Sequence, residues 1–336
     1  MYKICITFCF LSSFVASIEI IPISSDVWNH TYSPHWDVET QSLHFVDFLS
    51  ENRVLNRYDM CENRIYSATI ETNQVPAFMI PLKRRPFQFA GGIDRSVKVI
   101  NWDGRDSVAT ISKNLFRVEQ SSKYDGNFWS VSKASPSSRF YGGTYRSVIC
   151  SLSSTANASL YRYSKNIGVG RLVKNLKVSG GIDWNVKERK FYHVDSCNGI
   201  IREFDYDPKT MNICNERIVF KFRDIDGDRV PSYIPLGLTI DTKGCLWVAL
   251  YFGGAILKID PKKSKVMRKI ELPTEIVTGV AFGGRNLDIL FATTGSKAFS
   301  LSSGEISKTP FSPGSGHVYM IKGLGAKGFP GREMCI

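Results

Sequence analysis

The residues that could do chemistry are few and mostly solitary. His30 and His35 stand five apart in "HTYSPHWDVETQSLHFVDF", close enough to suggest a transition metal. On a turn and the strand after it, they read as a solvated loop histidine and a satisfied strand histidine. "DIDGD" at Asp224 to Asp228 hints at calcium. The twelfth position counted from Asp224 is Pro235, so the distal Glu of an EF-hand loop is missing and an acidic turn is the better reading. No Gly-x-Ser-x-Gly elbow appears, and the five histidines suggest no triad. The "GGR" and "GGT" phrases read as tight turns rather than phosphate cradles. A formal charge of +12 permits an acidic partner, yet Lys and Arg are scattered and the one tight cluster is "LKRRP" at Lys83 to Arg85. Without a zinc-finger spacing, an RNP-like box or a basic helix, the excess reads as solvated surface and argues against nucleic acid.

The elements that must position any site are strands. Aromatic residues make up 12% of the chain, and no segment sustains apolar helical spacing over four turns. "SPHWDVETQSLHFVD" around Trp36 recurs as "GGIDWNVKERKFYHVDS" around Trp184, each a Trp, a polar turn and a strand ending in Val-Asp. Further copies are "LGLTIDTKGCLWVALY" from Gly237 and "TGVAFGGRNLDILFATT" from Gly279. Weaker ones are "FQFAGGIDRSVKVINWD" near Phe87 and "SVSKASPSSRFYGGTY" near Ser130. Six units spaced roughly 40–55 residues apart match a four-stranded propeller blade. A β-sandwich would not repeat one strand-turn-strand signature so often. The sequence predicts an all-β, six-bladed β-propeller forming a single domain over residues 18–336.

Residues 1–17 carry one Lys, an apolar run and the small residues Val15-Ala16-Ser17, which read as a cleaved secretory signal. No segment approaches the ~18 consecutive apolar residues of a spanning helix. The expectation is a secreted, extracellular protein. "NHT" at Asn29 and "NAS" at Asn157 are glycosylation acceptors. Removing Cys5 and Cys9 with the signal leaves Cys61, Cys150, Cys197, Cys214, Cys245 and Cys335, which permit three disulfides in fifteen pairings. At least one bridge is expected among Cys197, Cys214, Cys245 and Cys335, stapling the ring; Cys245, in "GCLWVAL", also reads as a free strand thiol.

The phrases quoted above, with "FDYDPKT", "GLTIDTKGCLWVALYFGGAILKIDP" and the closing "IKGLGAKGFPG", resemble the regucalcin (senescence marker protein), gluconolactonase and luciferin-regenerating enzyme family, from about Trp28 to Gly331. The resemblance implies a six-bladed propeller with a divalent cation, calcium or zinc, at the mouth of its channel, and hydrolysis of sugar lactones. In that family a Glu two positions before a Pro, the Asn of Asn-Gly-Leu-x-Trp and the Asp of Pro-Asp-Gly hold the metal. Here those phrases are "TYSP", "GGIDW" and "PLG", so the positions fall on Tyr32, Gly180 and Leu236. The family's substrate-binding Arg and Asn fall on Phe128 and Ser130 in "FWSVSK", anchored by Lys133. A phenol is a poor ligand for a hard cation, glycine offers no side chain, and leucine offers only methyls.

Two functional classes follow. The first is a secreted, non-catalytic propeller, a pseudoenzyme without a cofactor, whose mouth, remodelled by Tyr32, Phe128, Trp129 and Leu236, binds a small apolar or aromatic molecule. The second is a lactone hydrolase dependent on calcium or zinc, as the resemblance implies. Function is argued from the site rather than the fold, which favours the first.

Overall fold

The structure is a computed structural model describing residues 17–50, 52, 54–71, 75–146, 150, 155–222, 232–300, 305–307 and 311–336. Most of the signal-like segment and the whole "DIDGD" stretch lie outside the described residues. Among those described, 24 strands are accompanied by a single 3-10 turn at Ser122–Tyr124, an all-β content. The described residues contain no helix long and apolar enough to cross a membrane.

The strands form antiparallel ladders that follow the chain. Phe128–Ala134, Phe140–Tyr145, Ala158–Ser164 and Gly168–Leu176 make one four-stranded sheet in sequence order. Ser179–Asn185 through Ile213–Lys221 make the next, and Ile234–Ile240 through Lys265–Glu271 a third. A fourth joins Val277–Gly283, Ile289–Thr294 and Tyr319–Lys322 to the N-terminal strand Glu19–Pro22. The remaining sheet has eight strands rather than the four expected of a repeat unit. Its runs Thr31–Asp37 to Arg64–Ile70 and Met79–Pro81 to Val108–Arg117 meet through a parallel pairing of Thr69 with Val108 and Ile70 with Ala109.

Burial falls along each ladder, which orients it. Every residue of Ile234–Ile240 and Val277–Gly283 is buried, whereas Lys265–Glu271 and Ile213–Lys221 are mostly exposed. The buried first strands pack side by side. Thr31–Asp37 meets Val277–Gly283, then come Ile234–Ile240, Ser179–Asn185 and Phe128–Ala134. Gln88–Ile93 and Met79–Pro81 complete the circuit back to Thr31–Asp37. This is a propeller-like arrangement of sheets about an axis.

Two features hold it. Large aromatics from neighbouring sheets interlock: Trp36 stacks on Phe291 at 5.2 Å between centroids, and Trp184 meets Tyr141 edge-on at 5.2 Å. Such pairs contribute about 0.5–1.5 kcal/mol beyond the area they bury. The Asp residues that recur in the sequence repeats tie the turns. Asp47 accepts from the backbone N–H of Asn29 and His30, and Asp241 from those of Lys243 and Cys245 and from the Trp247 indole.

Two expectations are corrected here. "GGT" is not a turn, because Gly142 and Gly143 lie inside the Phe140–Tyr145 strand. A Cβ on Gly143 would stand 1.9 Å from Ser179 Oγ, so glycine there permits the close approach of two sheets. The disulfide joins Cys150 to Cys197, while Cys61, Cys214, Cys245 and Cys335 are free. The ring is closed instead by backbone pairing of Glu19–Pro22 with Tyr319–Lys322. Both acceptor asparagines use their amides internally: Asn29 donates to Leu49 O at 2.9 Å and Asn157 to Lys123 O at 3.1 Å.

Alkylation of the unfolded, unreduced protein followed by peptide mapping should leave Cys150 and Cys197 unlabelled and label the four other thiols. Breaking the bridge with Cys150→Ser should cost about 2–4 kcal/mol in urea unfolding. Labelling of all six would contradict the pairing.

Three histidines, His44 and His193 buried and His35 half-buried, set an acid limit. Burial lowers His193 from 6.5 to about 4, lowers His35 likewise to about 4, and lowers His44 to about 3. The unfolded chain therefore binds protons that the native state refuses. The stability these neutral rings contribute is complete above pH 6.5 and drains away as pH falls towards 4 to 3. Urea unfolding at pH 7 and pH 5 should differ by on the order of 2 kcal/mol from His193 alone. His193→Gln should remove that part; a flat profile between the two pH values would contradict it.

Candidate functional site

The innermost strands are not regular. Five of them lose register with a neighbour at one place: between Tyr32 and His35, Trp129 and Ser132, Ser179 and Ile182, Pro235 and Leu238, and Val277 and Gly279, whereas Met79–Pro81 pairs with Gln88–Ile93 in continuous register. A β-bulge turns the side chain at the irregularity away from the pleat. Tyr32, Ser130, Gly180 and Leu236 all sit at these points. "YSP", read as a turn, is a bulge within a strand, with Ser33 at φ 53°.

The bulges bring Tyr32, Ser130 and Leu236 into one small cavity of ≈ 40 Å³ at the N-terminal ends of these strands. Its walls are mostly apolar or aromatic and include Ile234, Val178, Tyr145, Tyr251, Phe299 and His30. Tyr32 Oη and Ser130 Oγ lie 3.2 Å apart and share a hydrogen bond. Burial pushes the Tyr32 phenol up to about 12, against the opposing effect of the Ser130 hydroxyl. Tyr145 and Tyr251 are also pushed up by burial, and burial lowers His30. Since burial disfavours charge of either sign at these groups, the cavity is an environment for neutral species.

Gly180 lies beside it. A Cβ there would stand 2.5 Å from Ser196 Oγ and 3.0 Å from the Leu236 carbonyl oxygen, so the space an asparagine would need is filled. The donor set at the family's metal positions is therefore a phenol, no side chain and an isobutyl group. Among the described residues no cluster of three His, Cys, Asp or Glu side chains could hold a metal. These residues do not fit a divalent cation, which wants several oxygens and strong carboxylates.

The other predicted residues divide. Phe128 is 39% exposed and packs at 6.1 Å on Tyr145, which lines the cavity, without lining it itself. Trp129 touches the cavity, but its indole packs against Phe140 and Phe116 in a separate core cluster. His30 and His35 are not partners. His30 Nδ1 lies 2.8 Å from Lys297 O, whereas His35 lines a different cavity farther along the same strands. That second cavity, ≈ 60 Å³, is walled partly by the C-terminal residues Phe329 to Arg332. Lys133 donates to Asp183 and to Leu238 O, both at 2.8 Å, and Arg332 stands 3.6 Å from Asp183. Burial pushes the Asp183 carboxyl up, but the two cations outweigh it and hold it below the ordinary range. Lys133 is thus an internal ion-pair member rather than a group of the mouth.

Sequence reasoning missed the walls. Tyr145 pairs with Phe128 across its sheet, and Tyr251 pairs with Ile234. Both are the last residues of second strands of the repeat, outside the quoted metal and substrate motifs. Phe299 has no repeat signal at all.

Comparison with known proteins identifies the family. The family profile "SMP-30/Gluconolactonase/LRE-like region" matches residues 31–296. Regucalcin of Danio rerio is 28% identical over 298 residues, covering 89% of this chain and 92% of the relative. Regucalcin of Homo sapiens is 27% identical over 297 residues, covering 88% and 91%. The solved structure of a luciferin-regenerating enzyme aligns with a TM-score of 0.84 at 30% identity, covering 95% of this chain and 100% of the other. A calcium-binding regucalcin of Agrobacterium tumefaciens aligns at 0.75 with 16% identity, covering 94% and 97%, a likeness of fold alone. The chain belongs to the SMP-30/gluconolactonase/LRE-like family.

Proposed function

We propose that this chain is a non-catalytic, ligand-binding member of its family, secreted from the cell, whose channel mouth holds a small apolar or aromatic molecule in place of a metal and a sugar lactone. The observation that carries the reading is the Tyr32–Ser130 hydrogen bond above Leu236, in a cavity walled by neutral groups. A metal-activated water needs carboxylates to hold the ion, and a lactone needs polar clamps for its hydroxyls. No carboxylate stands in the wall of this cavity, and its polar groups are phenols, one serine hydroxyl and one imidazole. The fold behind the reading is a six-bladed propeller. The eight-stranded sheet counts as two four-stranded blades, because only a two-residue parallel pairing joins its halves. The Cys150–Cys197 disulfide supports export, since such bonds persist in oxidising compartments. Secretion is tested by expressing the full chain in cultured cells: the protein should appear in the medium, cut near Ile18. Retention in the cell with Met1 intact would refute it. A mass shift on deglycosylation would locate glycans on Asn29 or Asn157.

The catalytic question has a direct assay. Purified protein in millimolar calcium, magnesium or zinc should melt at the same temperature as in chelator, and δ-gluconolactone should hydrolyse at the uncatalysed rate. A bound ion at 100 times its dissociation constant would add about 2.7 kcal/mol and show as a shift of several degrees. Tyr32→Glu alone should lower the melting temperature, since it buries an unpaired carboxylate, and calcium should not restore it. Rebuilding the site requires Tyr32→Glu, Gly180→Asn and Leu236→Asp together with Ser196→Gly to make room at Gly180. That variant should gain calcium-dependent stability. Chelator-sensitive lactone turnover by the unaltered protein would establish the alternative, a metal-dependent lactonase.

A further inference from the structure

Resting on the reading of the mouth as a ligand pocket, we propose that its occupant is a neutral molecule bearing one hydroxyl on a small ring or short apolar body, with the hydroxyl accepting from Tyr145 and donating to His30. Two polar atoms of the wall carry this. His30 Nδ1 lies 2.8 Å from the Lys297 carbonyl, which can only accept, so Nδ1 bears the proton. In the neutral imidazole the other nitrogen, Nε2, is then an acceptor. Burial keeps this ring neutral.

The Tyr145 hydroxyl has no hydrogen-bond partner among the described residues. Its side chain packs against the core cluster that contains Tyr32, Leu236, Ile234 and Tyr251. The neighbouring hydroxyls are already engaged: Tyr32 with Ser130, and Tyr251 with the Phe299 backbone N–H at 2.8 Å. Beside the second O–H of the Tyr32–Ser130 pair, the wall therefore offers the Tyr145 O–H as donor and His30 Nε2 as acceptor, and one ligand hydroxyl has the capacity to satisfy both.

The rest of the wall sets the body of the ligand. His30 meets Tyr251 and Phe299 edge-on at 5.8 and 5.9 Å between centroids, forming a corner of perpendicular rings. Leu236, Ile234 and Val178 supply aliphatic surface, and no carboxylate borders the cavity to hold a cation. A volume of ≈ 40 Å³ is well below the ~150 Å³ that encloses benzene, so the hydroxyl end enters and the rest of the ligand's body lies out in the mouth.

Phenol and toluene have nearly the same shape and differ in the hydroxyl, so they make the test. Titration of the full-length protein by calorimetry or ligand-detected NMR should give phenol about three- to tenfold tighter than toluene. Tyr145→Phe should bring the two to parity without changing toluene affinity or melting temperature, since it removes no bond within the protein. Equal binding of phenol and toluene to the unaltered protein would overturn this inference while leaving the ligand-pocket reading intact. So would an undiminished phenol preference in Tyr145→Phe, or tetramethylammonium binding tighter than phenol. If none of the three binds, a pocket filled only by water is the outcome, and the ligand-pocket reading fails with the inference.

Discussion

The close approach of the innermost strands governs everything else in this molecule. At Gly237 a Cβ would stand 2.5 Å from the Gly279 Cα, and at Gly143 it would meet the Ser179 side chain. Strands held this tightly leave a channel so narrow that a few side chains decide its chemistry. Bulges in five of the strands then help choose which ones: Tyr32, Ser130 and Leu236 are turned towards the mouth while the rest of each ladder keeps its pleat and its packing. Stability comes from aromatics locked between sheets, such as Trp36 on Phe291, well away from these positions. The site can therefore change character while the fold stays whole.

That separation explains what could be read from the sequence. The recurring Trp, polar turn and Val-Asp ending report intersheet packing and turn capping, which are local and repeat with the chain. Positions matched by motif also transferred well where they sit on bulges: Tyr32, Ser130 and Leu236 meet in one cavity. Phe128, two residues before Ser130, stands one layer out, packed on Tyr145. The bulges themselves were illegible, since register is a property of two paired strands. Tyr145, Tyr251, His30 and Phe299 come together only through contacts between distant segments, and no spacing within any one segment announces them. The Cys150–Cys197 pairing is equally a product of how two loops meet.

The channel also separates its charges. Lys133, Asp183 and Arg332 form an internal network beside the C-terminal residues, where cations and carboxylate satisfy one another. The mouth, a few residues back along the same strands, has lost formal charge altogether. A pocket of phenols, an imidazole and aliphatic groups penalises ions of both signs and rewards neutral, partly apolar occupants. Tyr32 is the hinge of this account, since it both replaces a carboxylate and fixes Ser130.

The most direct test is a crystal structure at better than about 1.5 Å, grown in excess calcium. The account predicts Tyr32 Oη within hydrogen-bond distance of Ser130 Oγ, with only water or a neutral molecule above Leu236. An ion there with six or more oxygens at about 2.3–2.6 Å would contradict it.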